Sequence, residues 1–398
     1  MASPEPVFIS TRAELIAFAA RLDGVKEVGF DTEFHAEQTY RPKVMLLQLS
    51  TRDEVALIDP LAQEVKGAIG GFLELIKMRE QLVIGHALEH DLELFFRLNG
   101  GLPARVFDTQ RAAAFAGMGG PISLGALLQA RLGVEVDKVY SRADWGRRPL
   151  PPAQAEYAAD DVRYIHALAD DLRAQLEPAG RMAWLEEEMQ ALLRPEAYLP
   201  ADPSGAWRRV SRKPTAGSRA HLVMQHVAAE RERIAQETDR PARKVLPDEV
   251  VVDLARRAPR KAADLEGDAR RRPAPSLDKY ADRWIEAIEL GLEAELDGAA
   301  DAKQVPPPEV AAAAELLKGA SAWLAKKEGV AEWYLDGLAS QLESVASDPP
   351  SSAEALRRVL GLRGWRAELL VEPLWRLLSG EGSLRFSRGP EGVGAELS

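Results

Sequence analysis

The run Val28-Gly29-Phe30-Asp31-Thr32-Glu33-Phe34 is apolar until it acquires two carboxylates, two positions apart. A short run rich in branched and aromatic side chains predicts a buried strand, here one that ends in acids. Side chains alternate along a strand, so Asp31 and Glu33 share a face at roughly 6 to 7 Å along the backbone. Two ionised carboxylates that close repel each other and resist desolvation unless something positive lies between them. A hard cation such as Mg2+ or Mn2+ meets both demands. The competing reading is a pair of surface acids at a strand end.

A third acid, Asp91, stands in the stretch from Leu82 to Phe96. The pattern predicts a strand over Leu82 to Ile84, a turn at Gly85, and a helix through Arg97 with Leu88, Leu92, Phe95 and Phe96 as its apolar face. Asp91 borders that stripe. His86-Ala87-Leu88-Glu89-His90 also fits the H-x-x-E-H pattern of inverted zinc peptidases. That chemistry needs both histidines one turn apart on a single helix. Gly85 sets His86 at the helix boundary, where that geometry is weak.

Tyr157-Ala158-Ala159-Asp160-Asp161-Val162 lies in a predicted helix from Pro151-Pro152 to Pro178-Ala179-Gly180. At about 100° per residue, Asp161 falls within about 40° of Tyr157, in line with Ile165, Leu168 and Leu172. Asp160 falls off that face and is expected to be a solvated neighbour. A carboxylate centred in an apolar stripe is costly unless paired or metal-bound.

With Thr39-Tyr40-Arg41-Pro42, Leu46-Leu47-Gln48-Leu49, Asp108-Thr109-Gln110 and Ser141-Arg142-Ala143-Asp144-Trp145, these segments resemble ribonuclease D. That family belongs to the DEDD exonucleases, in the branch with tyrosine in the third motif. The resemblance runs from Val28 to Tyr164 and implies an α/β ribonuclease H-like (DnaQ-like) exonuclease domain with a mixed sheet. It maps the family's metal ligands onto Asp31, Glu33, Asp91 and Asp161, its water-orienting tyrosine onto Tyr157, and two Mg2+ or Mn2+ ions as cofactors.

The chemistry so implied is removal of nucleoside 5'-monophosphates from RNA 3' ends by two metals about 3.5 to 4 Å apart. In that arrangement Asp31 bridges both ions, and Glu33 accepts a hydrogen bond from the terminal 3' hydroxyl. Tyr157 orients the attacking water without itself taking the proton. Lys138, Arg142 and Arg147 flank Trp145 in a polar loop and are candidate phosphate contacts; the competing reading is solvated surface cations.

Strand patterns at Val28 to Phe34, Val44 to Ser50, Val55 to Asp59, Leu82 to Ile84 and Arg105 to Asp108 alternate with helices, and everything after Pro152 is expected to be helical. Ala206 to Val210 and Val245 to Glu249 resemble the start of an HRDC domain, a small helical module shared by helicases and ribonuclease D. Leu360 to Arg366 resembles the close of a second. The expected plan is an exonuclease domain over 1–203 followed by two all-α HRDC-like domains, over 204–298 and 309–380. An extended linker over 299–308, containing Val305-Pro306-Pro307-Pro308, joins them, and a loose tail covers 381–398. Trp323, Trp333, Trp365 and Trp375 are expected in the core rather than as base-stacking platforms.

Net charge is -11, yet residues 204–275 hold 17 Lys and Arg against 10 Asp and Glu. A basic module beside an acidic metal-binding one suits a polyanionic substrate. The chain has no cysteine, its Met1 to Pro6 start lacks a basic-then-apolar leader, and Val310 to Leu324 is interrupted by Glu315 and Lys318. A cytoplasmic protein, monomeric and off the membrane, is expected, with RNA bearing a free 3' end as partner and transfer RNA precursors implied by the resemblance. The alternatives are a DNA-directed exonuclease of the same superfamily and a non-catalytic nucleic-acid adaptor.

Overall fold

Strand β1 (Val7–Ile9) leads into α1 (Arg12–Arg21), whose start is set by a capping box in which Thr11 and Glu14 each accept the other's backbone N–H. This computed structural model describes residues 5–136, 140, 143–265, 275–295, 307–389 and 392–397. Lys138, Arg142, most of the expected linker and the stretch Glu266 to Pro273 lie outside the described residues.

Next come β2 (Glu27–His35), β3 (Lys43–Ser50), β4 (Val55–Ile58), α2 (Gln63–Lys66), α3 (Ile69–Met78), β5 (Leu82–Gly85), α4 (Glu89–Asn99) and β6 (Arg105–Asp108). They are followed by α5 (Thr109–Phe115), α6 (Leu124–Leu132), α7 (Pro152–Arg163), α8 (Ile165–Leu176) and α9 (Met182–Leu192). The sheet has the order β1-β4-β3-β2-β5-β6. β3 pairs antiparallel with β4, while β1–β4, β2–β5 and β5–β6 are parallel, so the sheet is mixed as expected. The five expected strands coincide with β2 to β6. β1 was not expected, because three residues at a sheet edge carry too little periodicity to register.

The single helix expected from Pro151 to Gly180 is two helices, broken at Tyr164 (φ -101°, ψ 0°). Tertiary contacts make the break. Ser50 Oγ donates to the carbonyl of Val162 at 2.7 Å, and His166 Nε2 lies 3.2 Å from the carbonyl oxygen of Ser50. Gly29 admits this close approach: a Cβ there would stand 2.1 Å from Ser50 Oγ and 2.7 Å from Ile165 Cγ2. The C-terminal turn of α7, with Asp161, is thereby pressed onto β2.

The chain divides into two compact units, one of residues 1–33, 45–197 and 305–398, the other of 34–44 and 198–304. The expected contiguous plan differs from this division. Residues 34–44 join the second unit because Tyr40 packs against its core, donates its hydroxyl to Glu232 Oε1 at 2.6 Å and its N–H to the carbonyl of Asp239 at 3.1 Å. In the second unit α10 (Arg219–Thr238), α11 (Ala242–Val245), α12 (Asp248–Arg257), α13 (Ser276–Lys279) and α14 (Ala281–Glu293) bury Val227, Val251, Leu254 and Trp284 around a buried Arg231–Asp248 pair at 2.7 Å.

In the first unit α15 (Pro308–Lys327), α16 (Ala339–Ser347), α17 (Ala353–Leu360) and α18 (Gly364–Ser379) follow. Pro308, expected to be linker, is the first residue of α15, where its missing N–H costs nothing. Trp365 is buried, whereas Trp323, Trp333 and Trp375 are half-buried. The tail corrects two expectations, of helix throughout and of looseness: β7 (Leu384–Gly389) pairs antiparallel with β8 (Gly392–Leu397). Its Gly, Ser and Glu content hid an alternation of Leu384 and Phe386 with Arg385 and Ser387.

Candidate active site

Asp31 and Glu33 project from the same face of β2, and Asp161 comes to them from α7. Ligand oxygens of these three carboxylates all lie within 4.8 Å of one another. All three are half-buried. Burial foremost, and then mutual repulsion, disfavours their ionised forms. Asp31 is raised well above the usual carboxylate range by desolvation and by Asp161. Glu33 is pushed up to about 10 by desolvation, then by Asp31, Asp161 and Asp91. Asp161 is pushed up to about 7 by desolvation, Asp160 and Asp91.

Asp91, the third residue of α4, is buried at 6% exposure beside this trio and is raised by burial and by Asp31. Thr32 Oγ1 donates to Asp91 Oδ1 at 2.5 Å, a contact that sequence reasoning missed. The turn that launches α4 is equally specified. A Cβ at Gly85 would fall 2.2 Å from Leu88 Cδ2 and 2.8 Å from the carbonyl oxygen of Phe30. Asp108, 1% exposed, caps α5 by accepting from the amides of Gln110 and Arg111, and also accepts from those of Ala87 at 3.1 Å and Leu88 at 2.9 Å. The motif Asp108-Thr109-Gln110 was visible in the sequence; the reach of its carboxylate back to the α4 turn was not.

Tyr157 lies one turn before Asp161 on α7, its ring 5.9 Å from that of buried Trp145 and 6.1 Å from that of Tyr140. Asp160 is not the solvated neighbour expected. It is half-buried and ion-paired with Arg163, and its charge helps to raise Asp161. Arg147 is exposed in the loop after Trp145. The neighbouring Arg148 is instead anchored, donating from Nε and Nη2 to Asp59 at 2.8 Å each and from Nη2 to the carbonyl of Met45 at 2.6 Å.

The zinc-peptidase arrangement does not form. α4 begins at Glu89 with Ala87 at φ +58°, so His86 stands outside the helix that carries His90. His86 Nδ1 lies 2.9 Å from Thr109 Oγ1 and Nε2 2.9 Å from the carbonyl oxygen of Ile122, which commits both ring nitrogens.

The donor set that does gather is all oxygen and strained by its own charge. Such a set fits hard divalent cations, whose binding removes the repulsion that otherwise favours protonation.

A 3'-5' exonuclease family model matches residues 6–177, and an HRDC domain model matches 221–288. Ribonuclease D of Nitrobacter hamburgensis is 34% identical over 394 residues, covering 96% of this chain and 97% of that protein. Ribonuclease D of Gluconacetobacter diazotrophicus is 34% identical, with 97% and 98% covered. The crystal structure of Escherichia coli RNase D, an exoribonuclease involved in structured RNA processing, is similar with a TM-score of 0.76 at 25% identity, covering 96% of this chain and 99% of that one.

Proposed function

The chain belongs to the ribonuclease D family and is a metal-dependent 3'-5' exoribonuclease, and we propose that Asp31, Glu33, Asp91 and Asp161 hold its two divalent cations, Mg2+ or Mn2+. The observation that carries this reading is the convergence of the Asp31, Glu33 and Asp161 oxygens within 4.8 Å. Bound there, the ions would neutralise the carboxylates, lower the pKa of a water and stabilise the leaving oxygen.

Asp31, whose oxygens lie within 4.8 Å of those of Glu33 and Asp161, would be the ligand shared by both ions, as in the DEDD arrangement that this site resembles. Glu33 accepts a hydrogen bond from the terminal 3' hydroxyl, fixing the end of the strand. Tyr157, held by packing against Trp145, orients the attacking water with its hydroxyl. Water adds to the scissile phosphorus as its bond to the upstream 3' oxygen breaks. A nucleoside 5'-monophosphate leaves, and the shortened RNA regains a 3' hydroxyl.

Exposed Arg147 is assigned to phosphate contact. The basic stretch over 204–275, with 17 Lys and Arg against 10 Asp and Glu, is assigned to RNA binding. We read α15 to α18 as a second HRDC-like domain. Transfer RNA precursors as substrate, a monomeric state and residence in the cytoplasm complete the proposal. No described helix is long and apolar enough to cross a membrane.

One assay tests the whole: an end-labelled RNA and its DNA counterpart, with free or blocked 3' hydroxyl, after chelation and with Mg2+ or Mn2+ restored. The expected result is stepwise shortening of the free-ended RNA that depends on added metal. Metal-independent cleavage, or equal digestion of blocked RNA, would overturn it, and preferential digestion of DNA would move the reading to a DNA-directed exonuclease.

A further inference from the structure

Glu188 in α9 is a carboxylate only 4% exposed, outside the cation cluster, at which the C-terminal helices meet the exonuclease fold. Its Oε1 accepts Trp365 Nε1–H at 2.9 Å and Arg366 Nη1–H at 2.5 Å, both from the first turn of α18. Its Oε2 accepts Arg111 Nη1–H from α5 at 3.0 Å. Arg111 is shared with Asp108, giving its backbone N–H to Oδ1 at 3.2 Å while its Nε stands 4.0 Å from Oδ2.

Asp108 in turn holds the amides of Ala87 and Leu88, the turn that launches α4 and so sets Asp91. Ala87, at φ +58°, occupies a conformation that a residue with a Cβ adopts only when its surroundings enforce it. Apolar packing backs the same junction, with Tyr334 stacked on Phe115 at 4.8 Å and Trp365 edge-on to it at 5.1 Å.

We propose that Glu188 and Arg366 are positioning residues for the cation site: through Arg111 and Asp108 they hold the Ala87–Leu88 turn, and with it Asp91, in the placement that binds metal. This rests on the reading of Asp91 as a ligand. The physical reason is charge sharing. A buried carboxylate flanked by two guanidinium groups is balanced, and removal of one leaves it to draw on the other. Without Arg366, Arg111 is drawn onto Glu188 and its support of Asp108 weakens. Without the Glu188 charge, Arg111 is released onto Asp108 and competes with the Ala87 and Leu88 amides for its oxygens, so either change loosens the turn. Such outer contacts tune metal affinity by tenfold or more.

The test uses the full chain as wild type, Arg366→Met, Arg366→Lys, Glu188→Gln and Trp184→Leu. The last removes a ring stacked on Trp365 at 5.7 Å without removing a charge. Two quantities are measured: amide hydrogen exchange over residues 86–92 in the metal-free protein, and Mn2+ affinity from the paramagnetic resonance of free Mn2+. The expected result is faster exchange at Ala87 and Leu88 and about tenfold weaker Mn2+ binding in Arg366→Met and Glu188→Gln. Arg366→Lys restores both, and Trp184→Leu leaves the affinity unchanged. Wild-type exchange and affinity in Arg366→Met and Glu188→Gln would overturn the proposal, as would an equal loss in Trp184→Leu. Should Arg366→Met not fold, Arg366→Gln carries the same comparison. If the wild type binds no Mn2+, the ligand reading has failed separately, and the exchange data alone decide whether the network holds the turn.

Discussion

Thr32 Oγ1 donates to Asp91 Oδ1 at 2.5 Å, a buried hydrogen bond that ties the strand carrying Asp31 and Glu33 to the helix carrying Asp91. That bond is one of the few influences that lower the proton affinity of Asp91 against burial and the charge of Asp31. Thr32→Val keeps the shape and deletes the donor. Mn2+ affinity is expected to fall about tenfold, with the circular dichroism spectrum unchanged, in a Mn2+ titration of the purified protein. Unaltered affinity would remove Thr32 from the account.

Asp31→Asn and Asp161→Asn each take one charge from the cluster without changing its shape. Hydrolysis is expected to fall by at least about a thousandfold in either variant, while binding of a labelled RNA persists. Both variants should also melt higher than the metal-free wild type, because the cost of desolvating or protonating a carboxylate in the cluster is gone. Rate measurements on end-labelled RNA and thermal melts check the two halves separately.

The raised carboxylates fix the sign of a pH effect. Asp161 is pushed up to about 7 and Glu33 to about 10, both above their ordinary values of 3.8 and 4.5. The folded metal-free chain therefore holds protons that the unfolded chain has released, and this contribution to stability is lost as pH rises through the folded values. Melting temperature without metal should fall from about pH 4.5 to about pH 10, most steeply below about pH 7 where both groups contribute, and the stabilisation by added Mg2+ should grow over the same range. A metal-free melting temperature that rises there would contradict the assignment.

Gly29→Ala places a methyl 2.1 Å from Ser50 Oγ and 2.7 Å from Ile165 Cγ2, at the junction of α7 and α8. Overpacking of this kind costs about 1 to 3 kcal/mol, read by denaturant unfolding. Adding Ser50→Ala should recover only part of it, since Ile165 still stands in the way.

The strand alternation that joins Asp31 to Glu33 and the helical position of Asp161 were legible because each depends on local periodicity alone. Misreadings arose where a distant residue decides the outcome. The helix through Tyr164 breaks because Ser50 and His166 bind across it. Asp160 is the local exception, half-buried and paired with Arg163 three positions on in the same helix. Residues 34–44 leave the exonuclease unit because Tyr40 finds Glu232, far along the chain. Thr32 and Asp108 carry no mark in the sequence that would assign them to Asp91, since side-chain hydrogen bonds between separate elements have no period.

Anomalous scattering from crystals of the full chain grown with Mn2+ and a nucleoside 5'-monophosphate tests the central claim directly. Two peaks about 3.5 to 4 Å apart, with Asp31 touching both and Glu33, Asp91 and Asp161 completing their shells, are the predicted result. A single peak away from Asp31, or density at His86 and His90 instead, would contradict it.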